Sequence, residues 1–196
     1  MTTAAQTLEE LSGRRSFTIA DVAALPSQLP SGPVDYELIR GKLLMMSPTG
    51  DPHGKIQARI VAAFVVQGDQ RGLGTTRTET GVILGRNPDT LLGPDVLFLA
   101  SSSLPVRLSA EGWWESIPDL VVEVRSRNDR NAELVEKVRT YAAAGVRIVW
   151  VVDPQRQVVM EYRGDRPAAE FGSADVLTAE DVLPGFRMSL AELFAP

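Results

Sequence analysis

The chain has 196 residues, 44% of them hydrophobic and 23% charged, the size and make-up of one globular domain with a buried core. It has no cysteine and one histidine, which excludes disulfides, thiolate nucleophiles and multi-histidine metal centres, so any metal must be held by oxygen. The net charge of −5 is unlike that of a protein that coats nucleic acid, and with neither a bilayer-spanning run nor a signal-peptide pattern the expectation is a soluble, cytoplasmic protein with no membrane contact.

Residues 1–16 have no periodicity and are expected to form an arm; residues 17–196 are expected to form a single domain. "TIADVAALP" sets Thr18 as an N-cap with Asp21 three residues on, a capping box for a short helix that Pro26 stops. "YELIRGKLLMMS" reads as two short strands about an Arg40-Gly41 turn. "DPHGKIQARIVAAFVVQGDQRG" opens with Asp51 as a cap and Pro52 at the first helical position and closes at Gly72, with Ile56, Ile60, Ala63 and Phe64 on one apolar face.

Three strands are expected next, "TRTETGVILG", "PDVLFLA" and "DLVVEV", with Trp113 and Trp114 in the loop between the last two. "NAELVEKVRTYAAAG" is a helix ended by Gly145, and "VRIVWVVD" a buried strand. "QVVMEYR" pairs back onto that strand after an Asp153-Pro154 turn. The tail "DVLPGFRMSLAELF" supplies a strand-like segment and a short amphipathic helix that cover the core. The order of helix, three strands, helix and strand gives an α/β fold, of the α+β kind with a mixed sheet.

Within "PDLVVEVRSRND" the carboxylate of Glu123 stands among the aliphatic residues of a strand. An unpaired buried carboxylate is costly or holds its proton, so it calls for a partner. Asp95 opens the preceding strand, and neighbouring strands lie about 4.8 Å apart, so the two acids can share one cation. With a backbone carbonyl beside Glu123 and some waters they make the oxygen set that magnesium or manganese accepts. Such an ion polarises a phosphoryl oxygen and lowers the pKa of a bound water.

The order of elements, with Asp95 on the second strand and Glu123 on the third, resembles the core of the PD-(D/E)xK nuclease superfamily. More narrowly, "YELIRGKL", "GPDVLFL", "PDLVVEVRS", "EKVRTYAAAGV" and "VWVVDP" together resemble the Uma2 family, also known as DUF820, of restriction-endonuclease-like proteins, over residues 36–162. The resemblance implies a restriction-endonuclease-like core with an added N-terminal hairpin, DNA as substrate, and Mg2+ or Mn2+ held by Asp95 and Glu123. It also implies a further acidic contributor at Glu37. The superfamily's lysine, two residues after the glutamate, is replaced here by Arg125; the resemblance carries that role to Lys137, on the following helix.

Each of these residues has a plainer reading. Glu123 pairs structurally with Arg125, Arg127 or Lys137, Asp95 begins a strand or caps a turn, and Glu37 is an exposed residue of a hairpin. Lys137 pairs with Glu133 one helical turn away. His53 is either a surface residue of the first helical turn or a group near the phosphate. Trp113 and Trp114 either stack on unpaired bases or lie at the core edge or in a subunit interface. Two functions follow: a Mg2+- or Mn2+-dependent deoxyribonuclease acting as a homodimer, or a catalytically silent nuclease-like domain that binds nucleic acid or a protein partner. No Walker loop or G-x-G-x-x-G segment follows a strand, which argues against a nucleotide-binding enzyme.

Overall fold

The computed structural model describes residues 16–30, 32–46, 50–126 and 130–196. The expected arm, apart from Ser16, and Arg127 lie outside the described residues.

In chain order the elements are α1 (Ile19–Ala23), β1 (Gln28–Leu29), β2 (Gly32–Pro33), β3 (Asp35–Ile39), β4 (Lys42–Met46) and α2 (Asp51–Gln67). They continue with β5 (Gly74–Thr78), β6 (Val82–Gly85), β7 (Thr90–Leu92), β8 (Val96–Ala100), β9 (Leu120–Val124), α3 (Asn131–Ala144) and β10 (Ile148–Asp153). The chain closes with β11 (Val158–Tyr162), β12 (Pro167–Gly172), β13 (Val176–Ala179), β14 (Leu183–Ser189) and α4 (Leu190–Leu193).

Among the described residues, six strands form one mixed sheet in the order β12-β11-β10-β9-β8-β5. Only β9 and β10 run parallel, joined by the α3 crossover; the other neighbours are antiparallel. The aliphatic runs of β8, β9 and β10 are buried along their whole length, because both faces of this sheet are covered. On one face Ile56, Ile60 and Phe64 of α2 pack with Phe98, Val122 and Trp150, joined by Phe186 and Leu190 of the tail. On the other, Val138 and Tyr141 of α3 pack with Leu97, Val121 and Val149. A second antiparallel sheet, β4-β3-β7-β6, leans on this face through Ile39, Val82 and Leu92, and its far side is closed by Ile19 and Val22 of α1.

The Thr18 and Asp21 capping box forms as the sequence predicts. At the β3–β4 turn, Arg40 and Gly41 both have positive φ, 53° and 79°, the backbone of a tight hairpin. Gly145 ends α3 in the left-handed region with φ 98°.

Other expectations need correction. The N-cap of α2 is Gly50, so Asp51 is already helical; the helix ends at Gln67, and a short 3-10 turn carries the chain to Gly72. The segment "TRTETGVILG" is two strands in two sheets, β5 in the large one and β6 in the small one. The break falls at Glu79, whose φ of 48° cannot continue a strand. The strands β1, β2, β7, β12 and β13 are additions that the sequence reading did not contain.

Candidate active site

The ends of β8 and β9 meet the two helices and the small sheet at one place. The antiparallel register pairs Val96 with Val122, so one step further sets Asp95 against Glu123. The backbone N–H of Val124 donates to Asp95 Oδ2 at 2.6 Å, fixing that carboxylate to the neighbouring strand. His53, from the first turn of α2, places Nε2 3.1 Å from the same oxygen. From α3, Lys137 brings Nζ to 3.4 Å from Glu123 Oε2, and Tyr141, one turn on, donates its hydroxyl to Oε1 at 2.6 Å. From β3, Glu37 accepts Lys137 Nζ on Oε1 at 2.9 Å, and its Oε2 is also 2.9 Å from that nitrogen. The Gly93 N–H donates to Glu37 Oε1 at 3.0 Å.

These groups are well inside the protein: Glu37 is 3% exposed, His53 5%, Glu123 7% and Lys137 8%. His53 is thus not a surface residue, and Glu37 is not an exposed hairpin residue. Lys137 turns inward rather than to Glu133, which pairs instead with Arg130 at 3.7 Å. Arg125 is turned to other work. Its guanidinium holds Asp153 at the end of β10 at 3.0 Å and Asn131 at the start of α3 at 2.6 Å. Trp114 is buried and packs in the core with Val82, and Trp113 packs against the small cluster of Ile19, Val22, Leu38, Ile83 and Leu91.

Burial sets the electrostatics. It pushes the carboxyl of Glu123 up to about 7; the Lys137 ammonium opposes this, the charges of Asp95 and Glu37 add to it, and the Tyr141 hydroxyl opposes it. Burial works against the charge of Lys137, but the carboxylates of Glu123 and Glu37 together outweigh it and hold the ammonium above its ordinary range. Burial and the Glu123 carboxylate keep the Tyr141 phenol well above its ordinary value, so it remains a donor at neutral pH.

Among the described residues no three His, Asp or Glu side chains are grouped to hold a metal by themselves. The donors that are present nevertheless fit a hard cation. Asp95 and Glu123 are oxygen donors on adjacent strands, and Asp95 concentrates its protein contacts on Oδ2.

Sequence reasoning missed Gln57 and Tyr141. Gln57 donates to the Asp95 carbonyl at 2.9 Å and to Glu79 at 3.0 Å. For Tyr141 a signal existed: it lies four residues after Lys137, on the same helix face.

No curated protein matches the chain. A solved structure that it resembles is described as a "putative nuclease belonging to DUF820" from Anabaena variabilis ATCC 29413. The TM-score is 0.75 at 19% identity, over 91% of this chain and 98% of that one, which establishes a shared restriction-endonuclease-like fold. The family model named Uma2 and described as "Putative restriction endonuclease" matches residues 22–191, a span that includes every side chain of this cluster. By that match the chain belongs to the Uma2 family.

Proposed function

We propose that the protein is a metal-dependent DNA endonuclease that hydrolyses phosphodiester bonds, with Asp95 and Glu123 as ligands for Mg2+ or Mn2+. The observation that carries this reading is the convergence of Glu37, His53, Asp95, Glu123 and Lys137, from four separate elements and the bend just before β8, at one end of the large sheet. A buried charged cluster is seldom the most stable filling for such a space, so its retention points to chemistry. When bound, the cation supplies a Lewis acid for a phosphoryl oxygen and a water of lowered pKa. The chain's own residues do the rest. His53 and the Val124 N–H orient Asp95, and Tyr141 orients Glu123. Lys137 offers a compact positive charge for the phosphoryl oxygens, in the role that the superfamily gives to a lysine after the glutamate. Glu37 is the further acidic member of the group. A two-fold homodimer suits cleavage of both strands, with the β3–β4 hairpin and the tryptophan loop as contact surfaces.

One observation favours the second reading, a catalytically silent nuclease-like domain that binds nucleic acid or a protein partner. The Lys137 contact compensates Glu123 without any metal. Cleavage of supercoiled, linear and single-stranded DNA with magnesium or manganese decides between them. Under the nuclease reading Asp95→Ala and Glu123→Ala each lower cleavage by at least about a hundredfold while the chain stays folded. No cleavage by the unmodified chain, together with no calorimetric signal on titration with manganese, establishes the silent domain.

A further inference from the structure

Glu37 has no assigned task beyond being acidic, and its surroundings are unlike those of the other two carboxylates. Both of its oxygens are 2.9 Å from Lys137 Nζ, whereas the Glu123 contact to the same nitrogen is 3.4 Å. The Gly93 N–H fixes Oε1 from the end of β7, so the carboxylate is held by its own small sheet before it meets the lysine. It is also the most deeply buried of the acids, on a strand that belongs to a different sheet from Asp95 and Glu123. A metal ligand in this place would have to give up the ammonium that it contacts more closely than any other group does.

We infer that Glu37 is a positioning residue that acts through Lys137: the small antiparallel sheet serves as the anchor that holds the helix-borne lysine beside Glu123, and Glu37 is not a ligand of the metal. This deepens the nuclease reading and rests on it. The need for such an anchor follows from the architecture. A lysine placed two residues after the glutamate would share its strand with that glutamate. Lys137 instead extends from α3 and has four side-chain torsions to fix. Arg125, at the strand position, is committed to Asp153 and Asn131 and cannot take over.

The test is Glu37→Gln, which removes one charge and keeps the shape, leaving Lys137 with Glu123 as counter-ion. Two readouts are taken that need no cleavage. Amine acylation of Lys137, followed by mass spectrometry at pH 9, reports how firmly the ammonium is held. Calorimetric titration with Mn2+ reports the metal site. Loss of the anchor is expected to speed acylation of Lys137 by at least about threefold, because a side chain no longer held by both Glu37 oxygens leaves its buried place more often. Manganese affinity is expected to stay within about threefold of the unmodified chain, and Glu37→Asp to recover part of the protection. Since these measurements compare folded samples, a circular dichroism spectrum matching the unmodified chain accompanies each.

Manganese binding lost in Glu37→Gln makes Glu37 a ligand and overturns the inference, as does unchanged acylation of Lys137. If the unmodified chain binds no manganese, the nuclease reading fails and the inference falls with it. If it binds manganese and Lys137 acylation does not respond to Glu37, the inference fails alone.

Discussion

Glu123 carries the pH dependence of the site, because burial raises its carboxyl to about 7 from an ordinary 4.5. Between those values the folded chain holds a proton that the unfolded chain has released. Its contribution to stability is therefore full below that window and is lost as pH rises through it. Under the nuclease reading, a cation held by Glu123 displaces the same proton. Manganese affinity is expected to fall about tenfold for each unit below pH 7 and to level off above it. Calorimetric titrations at pH 5.5, 6.5 and 8 check this, and a flat profile would remove Glu123 from the ligand set. Tyr141→Phe deletes a donor that favours the charged carboxylate. It should shift that profile to higher pH and cost about 2 kcal/mol of stability, the worth of a hydrogen bond to a charged group. His53 illustrates how a residue can be misread from its neighbours. Pro52 and the first-turn position suggest a surface, yet His53 leads the series His53, Ile56, Ile60, Phe64, which is one helix face and the buried one.

At the scale of elements, α3 brings two side chains, Lys137 and Tyr141, to the buried cluster, and Arg125 secures its start. Arg125→Ala frees Asp153 and Asn131, and the expected loss is about 2 kcal/mol, or roughly 4–8 °C in melting temperature for a chain of this size. Thermal unfolding checks the size of the loss. Manganese affinity should be kept, because Arg125 makes no hydrogen bond or ion pair to Asp95 or Glu123; loss of metal binding would show that it acts inside the site. The strands of this region were readable unequally. "DLVVEV" and "VRIVWVVD" are continuous aliphatic runs and their burial follows directly. "TRTETGVILG" reads equally well as one long strand or two short ones. Its break at Glu79 depends on Pro94, whose carbonyl accepts the Glu79 N–H from the far side of β7.

Across the whole molecule, the large sheet is covered on both faces, and the small sheet closes the site from the side of α3. No described helix is long and apolar enough to cross a membrane. Under the nuclease reading, the net charge of −5 leaves DNA contact to local arrangements of cations, so pairing two copies about a two-fold axis is a direct way to extend the contact surface. Light scattering at micromolar concentration is expected to give twice the 21.3 kDa chain mass. A value for one chain would withdraw the homodimer.

From its residues alone the chain limited any metal ligation to oxygen donors, and it showed the order of its core elements and the pairing of Asp95 with Glu123 on neighbouring strands. Each of these depends on composition or on short-range pattern, which a linear sequence holds in full. The resemblance of five short motifs to the Uma2 family was readable in the same way, and it carried Lys137 as well. What emerged only on folding was contact between elements far apart in the chain: Glu37 on Lys137 across 100 residues, Arg125 on Asp153, and His53 on Asp95. Such pairs are set by how sheets and helices pack against one another, and no local periodicity encodes which polar side chains that packing brings face to face.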